Sequence, residues 1–171
     1  MAEAIVTKTL FANAFKELLL TFPYSQISIR EICEKCNMNR KSFYYHFKDK
    51  EDLVCWIFDS ELLSRKFEDN SGSVWDKICV LTEYFYENKM FYRKVLKVEG
   101  QNSFSEHLQE VCAKMVLSFS NEGKAMGKIQ RDFFSDALVC AIKRWMLSRE
   151  PIIPPSVLVH ELKECLDFTK V

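Results

Sequence analysis

The sequence has few of the residues that break helices, since its 171 residues include only 4 Gly and 4 Pro. It also has no excess of charge of either sign, because 24 Lys and Arg balance 24 Asp and Glu. Its uninterrupted apolar runs are only a few residues long, whereas a bilayer-spanning helix needs roughly 20. These absences argue against a loop-rich or collagen-like chain, a uniformly basic coat and a membrane segment. No signal peptide is expected, since charged residues interrupt the first apolar stretch.

The residues that are present indicate a soluble globular chain of about one folded unit, with 48% hydrophobic and 28% charged residues. The seven cysteines are odd in number and mostly lie in apolar helical patterns. We interpret them as reduced core residues of a cytosolic protein. The pair Cys33 and Cys36 does not predict zinc, because a closed zinc site needs four ligands and no second close pair follows. No metal and no cofactor are therefore predicted.

Helical periodicity dominates the chain and predicts an all-α fold of about nine helices. The first clear stripe recurs at the 3.6-residue period and consists of Leu10, Phe11, Ala14, Phe15, Leu18, Leu19 and Phe22. Pro23 is expected to end that helix. No alternating pattern of useful length predicts a strand.

Residues 28–47 have the spacing of a helix-turn-helix. Ser28 and Glu31 form a capping box at the start of the first short helix, and Asn39 is a good N-cap for the second. Between them, Asn37 stands where a left-handed residue would end the first helix. In the second helix Phe43 and Phe47 are expected to face inward.

Positive charge is concentrated in residues 35–50, where five lysines and arginines oppose one aspartate. A local basic patch in a neutral chain is typical of a phosphate-facing surface. The alternative is a solvated basic face without function. The adjacent Tyr44 and Tyr45 favour the first interpretation, because each offers a hydroxyl to a phosphate and an edge to a base.

Residues 41–53, KSFYYHFKDKEDL, resemble the recognition-helix signature of the TetR (tetracycline-repressor-like) regulators. The resemblance extends in order and spacing from Leu10 to Leu53. The chain departs from the family at Phe22-Pro23 and at Asn37, where the family often has glycine. Neither departure removes a group that faces DNA.

The resemblance implies a helix-turn-helix DNA-binding domain at 1–50 and a helical effector-binding and dimerisation domain at 51–171, joined by the helix that starts near 49. It also implies a bacterial cytoplasmic homodimer that binds a palindromic double-stranded operator. By position, the implied DNA contacts are Ser28, Arg40, Lys41, Ser42, Tyr44, Tyr45, His46 and Lys50. Lys50 resembles the phosphate-binding lysine of the family. For Ser28, capping of the first short helix is an equally good role.

The same resemblance implies an effector pocket and a dimer interface in the second domain. Candidate pocket residues are Trp75, Tyr84, Phe85, Phe104, His107, Met115 and Trp145. Candidate interface residues are Leu138, Ala141, Ile142, Leu158, Leu162 and Cys165, with Trp145 a further apolar residue of the same helix. In both sets the alternative is ordinary intramolecular core.

The effector is an unknown small molecule or a protein partner. Residues 91–104 are similar to a Gram-positive subgroup of the family that includes a regulator of dihydroxyacetone kinase genes. Repression is expected over activation, although that subgroup would allow activation. A different class remains open, a helical small-molecule or protein-binding module whose helix-turn-helix is non-functional. No constellation of residues supports an enzyme.

Overall fold

The computed structural model describes residues 2–63, 65, 73–98, 103–117, 126–150 and 152–167. Within these ranges the chain forms nine α-helices, one 3-10 helix and no strand, which confirms the predicted all-α fold. The helices are α1 (Ala2–Thr21), a 3-10 helix (Tyr24–Gln26), α2 (Ile29–Lys35), α3 (Arg40–His46), α4 (Lys50–Leu63), α5 (Val74–Glu87), α6 (Lys89–Val95), α7 (Phe104–Leu117), α8 (Lys128–Leu147) and α9 (Pro155–Asp167). Residues 99–102, part of the segment with the subgroup resemblance, lie outside the described ranges.

Helix α1 is longer than its apolar stripe predicts, because it begins at Ala2 and not near Leu10. The added turns expose Ile5 and Val6, so no buried face marks them in the sequence. The helix ends before Pro23, as predicted. The 3-10 helix that follows was not predicted, and it brings Tyr24 into the core.

Helices α1 to α3 pack around a small aromatic core. The ring of Phe43 lies edge-on to Phe11 at 5.3 Å between centroids and 5.6 Å from Phe47. All three side chains are buried, as the inward orientation of Phe43 and Phe47 requires. Such ring contacts add to the stabilisation from area burial, so α3 is held firmly from its inner side.

The remaining helices form the second part of the fold, in which α7 packs along α8 and α5 packs against α9. An aromatic cluster of Phe58, Tyr84, Phe85, Tyr92 and Phe104 fills the space between α4, α5, α6 and α7. Helix α4 contributes to this cluster and to the packing of α1, so it joins the two parts.

A chain of polar contacts crosses this apolar interior. The hydroxyls of Tyr84 and Tyr92 lie 2.6 Å apart, and Tyr84 donates to Glu61 Oε2 at 2.9 Å. Glu61 also pairs with Lys16 of α1. Burial raises the pKa of both tyrosine hydroxyls above its ordinary value.

The cysteines do not all lie in the core, which corrects the interpretation from the sequence. Cys33 and Cys112 are buried, whereas Cys140 and Cys165 are exposed on α8 and α9. Burial raises the pKa of Cys112 to about 12. In the described ranges, no three His, Cys, Asp or Glu side chains are grouped so as to hold a metal ion. No helix in the same ranges is long and apolar enough to cross a membrane.

Candidate nucleic-acid interface

The two helices of the helix-turn-helix are fixed by local hydrogen bonds that the sequence predicts. Ser28 and Glu31 form the reciprocal capping box of α2. Asn39 accepts from the Ser42 amide at 2.8 Å and caps α3. Asp49 caps α4 in the same way, since its Oδ1 accepts from the Asp52 amide at 2.8 Å. Three consecutive helix starts are thus set by side chains in the sequence.

The turn after α2 is a Schellman motif with Asn37 in the left-handed conformation, at a φ of 54°. The amide of Met38 donates to the Cys33 carbonyl at 2.9 Å, and the amide of Asn37 donates to the backbone carbonyl of Glu34 at 3.3 Å. Met38 packs against the core beyond the turn. Asparagine therefore adopts here the left-handed conformation that glycine commonly adopts after a helix.

Replacing Asn37 by valine is expected to destabilise the protein by about 1–2 kcal/mol, because a β-branched residue tolerates positive φ poorly. Asn37→Gly is the matched control and is expected to preserve stability, since glycine adopts this conformation freely. Urea unfolding of the two variants measures the difference. Equal stability of the two would contradict the role of the turn.

Helix α3 turns its polar face to solvent and its phenylalanines inward. Tyr45 is 84% exposed and Tyr44 is 50% exposed, beside the exposed Arg40 and Lys41. The Arg40 guanidinium lies over the Tyr44 ring at 5.9 Å and donates to its hydroxyl at 3.4 Å. Each exposed tyrosine presents an apolar ring and a hydroxyl that can bind a partner. Arg40, Lys41, Tyr44 and Tyr45 are thus all exposed, and their contact with DNA stays a prediction.

The other predicted contacts in the motif are either half-buried or already hydrogen-bonded within the chain. Ser28 is exposed, but its hydroxyl both accepts from the Glu31 amide and donates to the Glu31 carboxylate. Ser42 and His46 are half-buried, and the His46 ring lies edge-on to Tyr45 at 5.0 Å. The Ser28 side chain is therefore already used in capping α2. The His46 ring packs against the exposed ring of Tyr45.

Lys50 is placed differently from a freely solvated phosphate-binding side chain. Its Nζ donates to the carbonyls of Tyr24 at 3.0 Å and Ile27 at 2.6 Å, and it lies 4.4 Å from the centroid of the Tyr24 ring. Burial lowers the pKa of Lys50 from its ordinary value. In this structure Lys50 anchors the connection between α1 and α2 to the start of α4.

The basic charge of this surface is available to a ligand. Within the residues that the structure describes, neither Lys41 nor Lys48 forms an ion pair, and both are exposed. Lys35 differs, since its Nζ pairs with Glu17 at 2.8 Å. Lys35 thus contributes less than its place in the basic segment suggests.

The predicted effector residues lie at several separate places in the part of the chain that the structure describes. Tyr84, Phe85 and Phe104 are buried in the aromatic cluster, Met115 is buried on α7, Trp75 is half-buried on α5, and Trp145 donates from Nε1 to the Ile153 carbonyl at 2.9 Å.

His107 faces a groove of about 480 Å³ between α4 and α7. There its Nε2 lies 2.7 Å from Asp59 Oδ1. A second groove of about 670 Å³ runs between α7 and α8, and Glu106, Cys140 and Arg144 are among its lining residues. The effector pocket stays a prediction.

Three of the six predicted interface residues are buried within the chain itself. Leu138, Ile142 and Leu158 are buried in its own core, whereas Ala141 and Leu162 are half-buried and Cys165 is exposed. The strongest apolar stripe of α8 therefore faces inward, as the intramolecular alternative holds.

A second apolar stripe on α8 faces solvent and was not among the predicted interface residues. Ile129 is 85% exposed and Phe133 is 66% exposed, followed by the exposed Ala137 and Cys140 at helical spacing. The signal was present in the sequence, because these residues recur at steps of four, four and three. A helix with apolar residues on two sides has a low net periodicity, so the inward stripe concealed the outward one.

Comparison with known proteins identifies the family. The family described as "Bacterial regulatory proteins, tetR family" matches residues 13–55, and the "Transcriptional regulator C-terminal region" of such proteins matches residues 74–167. The chain is 28% identical over 159 residues to the HTH-type dhaKLM operon transcriptional activator DhaS of Lactococcus lactis subsp. lactis (strain IL1403). That match covers 87% of this chain and 83% of the relative.

Two solved structures have the same fold. The dihydroxyacetone kinase operon activator DhaS superposes with a TM-score of 0.64 at 19% identity, covering 97% of both chains. A transcriptional regulator of the "TerR/AcrR family" from Aquifex aeolicus VF5 superposes with a TM-score of 0.58 at 19% identity, covering 95% of this chain and 99% of the other. The matched families consist of regulators and not of enzymes, as the sequence predicted. This chain belongs to the TetR family of bacterial transcriptional regulators.

Proposed function

We propose that this protein is a homodimeric regulator that acts in the bacterial cytoplasm and binds a palindromic operator. Residues 1–50 form the DNA-binding unit, and residues 51–171 form the effector-binding and dimerisation unit. Helix α3 enters the major groove with Arg40, Lys41, Ser42, Tyr44 and Tyr45, while Ser28, His46 and Lys50 lie close to the DNA backbone. An effector, either a small molecule or a protein, changes the separation of the two recognition helices.

The observation that carries the proposal is the exposed face of α3. Arg40, Lys41 and Tyr45 project from a short helix whose Phe43 is fully buried. Arginine and lysine at the start of a recognition helix can bond guanine edges or phosphates, and exposed tyrosines add phosphate and thymine-methyl contacts. The neutral charge of the whole chain makes this local basic surface the natural DNA-facing side.

The dimer is proposed to form through the outward face of α8. TetR-family regulators bind operators as dimers, because one helix-turn-helix reads only a few base pairs. The exposed stripe with Ile129 and Phe133 supports this assignment, since large apolar side chains in a row favour burial against a second copy.

The direction of regulation has two candidates. Repression is the expectation from the sequence analysis. The match to DhaS over 87% of this chain favours activation, since that relative is named an activator. A promoter carrying the operator upstream of a reporter gene distinguishes the two, because deletion of the regulator raises expression under repression and lowers it under activation.

In vitro selection from random duplex DNA with the purified protein tests the proposed function. An enriched inverted repeat would support specific binding by a two-fold dimer. No enrichment by the folded protein at low salt would overturn the proposal and favour a small-molecule or protein-binding module with a non-functional helix-turn-helix.

Arg40→Ala is expected to relax base preference at one position of each half-site. Loss of a bidentate base contact costs about 1–3 kcal/mol of discrimination. Lys48→Ala is the matched control, because Lys48 is an exposed lysine of the same basic segment and is not among the proposed base contacts. Loss of its charge is expected to weaken binding to all sequences alike and to reduce the salt slope by at most about 1. Competition binding against single-base operator variants measures both effects. An unchanged base profile in Arg40→Ala would count against the assignment of Arg40.

A further inference from the structure

Two neighbouring basic residues of α6 bond to the C-terminal ends of two different helices. The Arg93 guanidinium donates from Nη2 to the Ser148 carbonyl at 2.7 Å, directly after α8. The Lys94 ammonium donates to the carbonyls of Leu19, Leu20 and Phe22 at the end of α1, at 3.3 Å for Leu20 and 3.2 Å for Phe22. Helix α6 therefore bridges the end of α1 and the end of α8.

These contacts suit helix ends in particular. The last carbonyls of a helix have no partner within it and carry partial negative charge, so cations are favourable there. Helix α1 has no basic residue in its own last turn. Lys94 supplies the missing cation from another element, and all three of its donors have an acceptor.

Helix α6 is itself held in place by packing, so it can couple the position of α1 to the position of α8. Phe91 packs edge-on against Phe15 of α1 at 6.0 Å between centroids. Tyr92 is fully buried, with its hydroxyl 2.6 Å from that of Tyr84. These contacts restrict movement of α6 against either neighbour, because densely packed interiors transmit strain.

We propose that Arg93 and Lys94 are positioning residues that set the separation of the two recognition helices in the dimer. The inference rests on the proposed function, in which α8 forms the dimer interface and α1 to α3 bind DNA. The pair links the interface helix to the last turn of α1, so it fixes the DNA-binding unit relative to the two-fold axis. That geometry determines which half-site spacing the dimer can occupy, since major grooves recur about every 34 Å along DNA.

The test measures spacing preference separately from affinity. The inverted repeat selected by the wild-type protein is rebuilt with its half-sites one and two base pairs closer or further apart. Binding to each is measured for the wild-type protein, Lys94→Met and Arg93→Met. Lys97→Met is the control, because it removes the same charge from an exposed residue just after α6.

The wild-type protein and Lys97→Met are expected to prefer one spacing sharply. In Lys94→Met and Arg93→Met the ratio of affinities for the preferred spacing and the altered spacings is expected to fall roughly tenfold. That factor corresponds to the loss of about one charge-assisted hydrogen bond. Base preference within each half-site is expected to stay unchanged, because α3 is untouched. Lys94→Arg keeps a cation at the end of α1 and is expected to restore the preference.

Three results would overturn the inference. The first is an unchanged spacing preference in both methionine variants, even with weaker binding overall. The second is loss of folding, by circular dichroism, in Lys94→Met and in the milder Lys94→Gln, since the residue would then be purely structural. The third is a wild-type protein that selects no inverted repeat, which would overturn the proposed function as well.

Discussion

Replacing Phe43 by alanine is expected to destabilise the protein by about 3–5 kcal/mol. The side chain is fully buried, and its ring contacts Phe11 and Phe47 at centroid distances of 5.3 Å and 5.6 Å. Alanine would remove these contacts and leave a cavity between α1 and α3, which short helices cannot easily close. Because a domain has only about 5–15 kcal/mol of net stability, much of the protein would be unfolded at 37 °C.

Tyr45→Ala is the matched control on the same helix, since Tyr45 is 84% exposed and faces the opposite side. Its stability is expected to change by less than about 0.5 kcal/mol, while operator affinity falls. Thermal unfolding followed by circular dichroism, with operator binding in parallel, separates the two effects. Similar losses of stability in both variants would show that the outer face of α3 is needed for folding and not for binding.

Replacing Phe133 by aspartate is expected to dissociate the dimer and abolish operator binding at nanomolar protein concentrations. The side chain is 66% exposed in the single chain and lies in the outward stripe of α8 with Ile129. A central aromatic residue at an interface contributes about 2 kcal/mol or more. Two-fold symmetry doubles the effect, so the dimer would be weakened by roughly a thousandfold. Folding of each chain is expected to persist, because the Phe133 side chain is largely exposed and its ring packs edge-on only against the neighbouring Phe134 among the ring contacts of the described residues, at 5.5 Å between centroids.

Met90→Asp provides the control, because Met90 is similarly exposed but lies on α6, away from this stripe. Analytical ultracentrifugation over a concentration series gives the dimer constant of each variant. A dimer that tolerates Phe133→Asp would place the interface elsewhere and remove the outward stripe from the proposal.

The local features of the helix-turn-helix were predictable because they depend on neighbours in the chain. Ser28, Asn37 and Asn39 act on backbone groups within a few residues, so their types and spacing specify caps and turn directly. Likewise, the 3.6-residue period of α3 placed Phe43 inside and Tyr45 outside.

Contacts between distant segments were not predictable in the same way. Lys50 has the position of a phosphate-binding residue in the sequence, yet its ammonium bonds Tyr24 and Ile27. Leu138 and Ile142 have the apolar spacing of an interface, yet they fill the core of their own chain. A periodic pattern identifies a buried face but does not identify which neighbour covers it.

The sequence by itself determined the helical class, the helix-turn-helix and the basic, tyrosine-bearing face of α3, because hydrophobic period, capping and local charge are properties of short segments. The tertiary structure alone decided which apolar stripe of α8 is buried in the chain and which one stays exposed. It also decided that Arg93 and Lys94 reach the ends of α8 and α1. Those outcomes depend on how the helices pack, since a side chain acquires a partner 50 or more residues away only when the chain has folded.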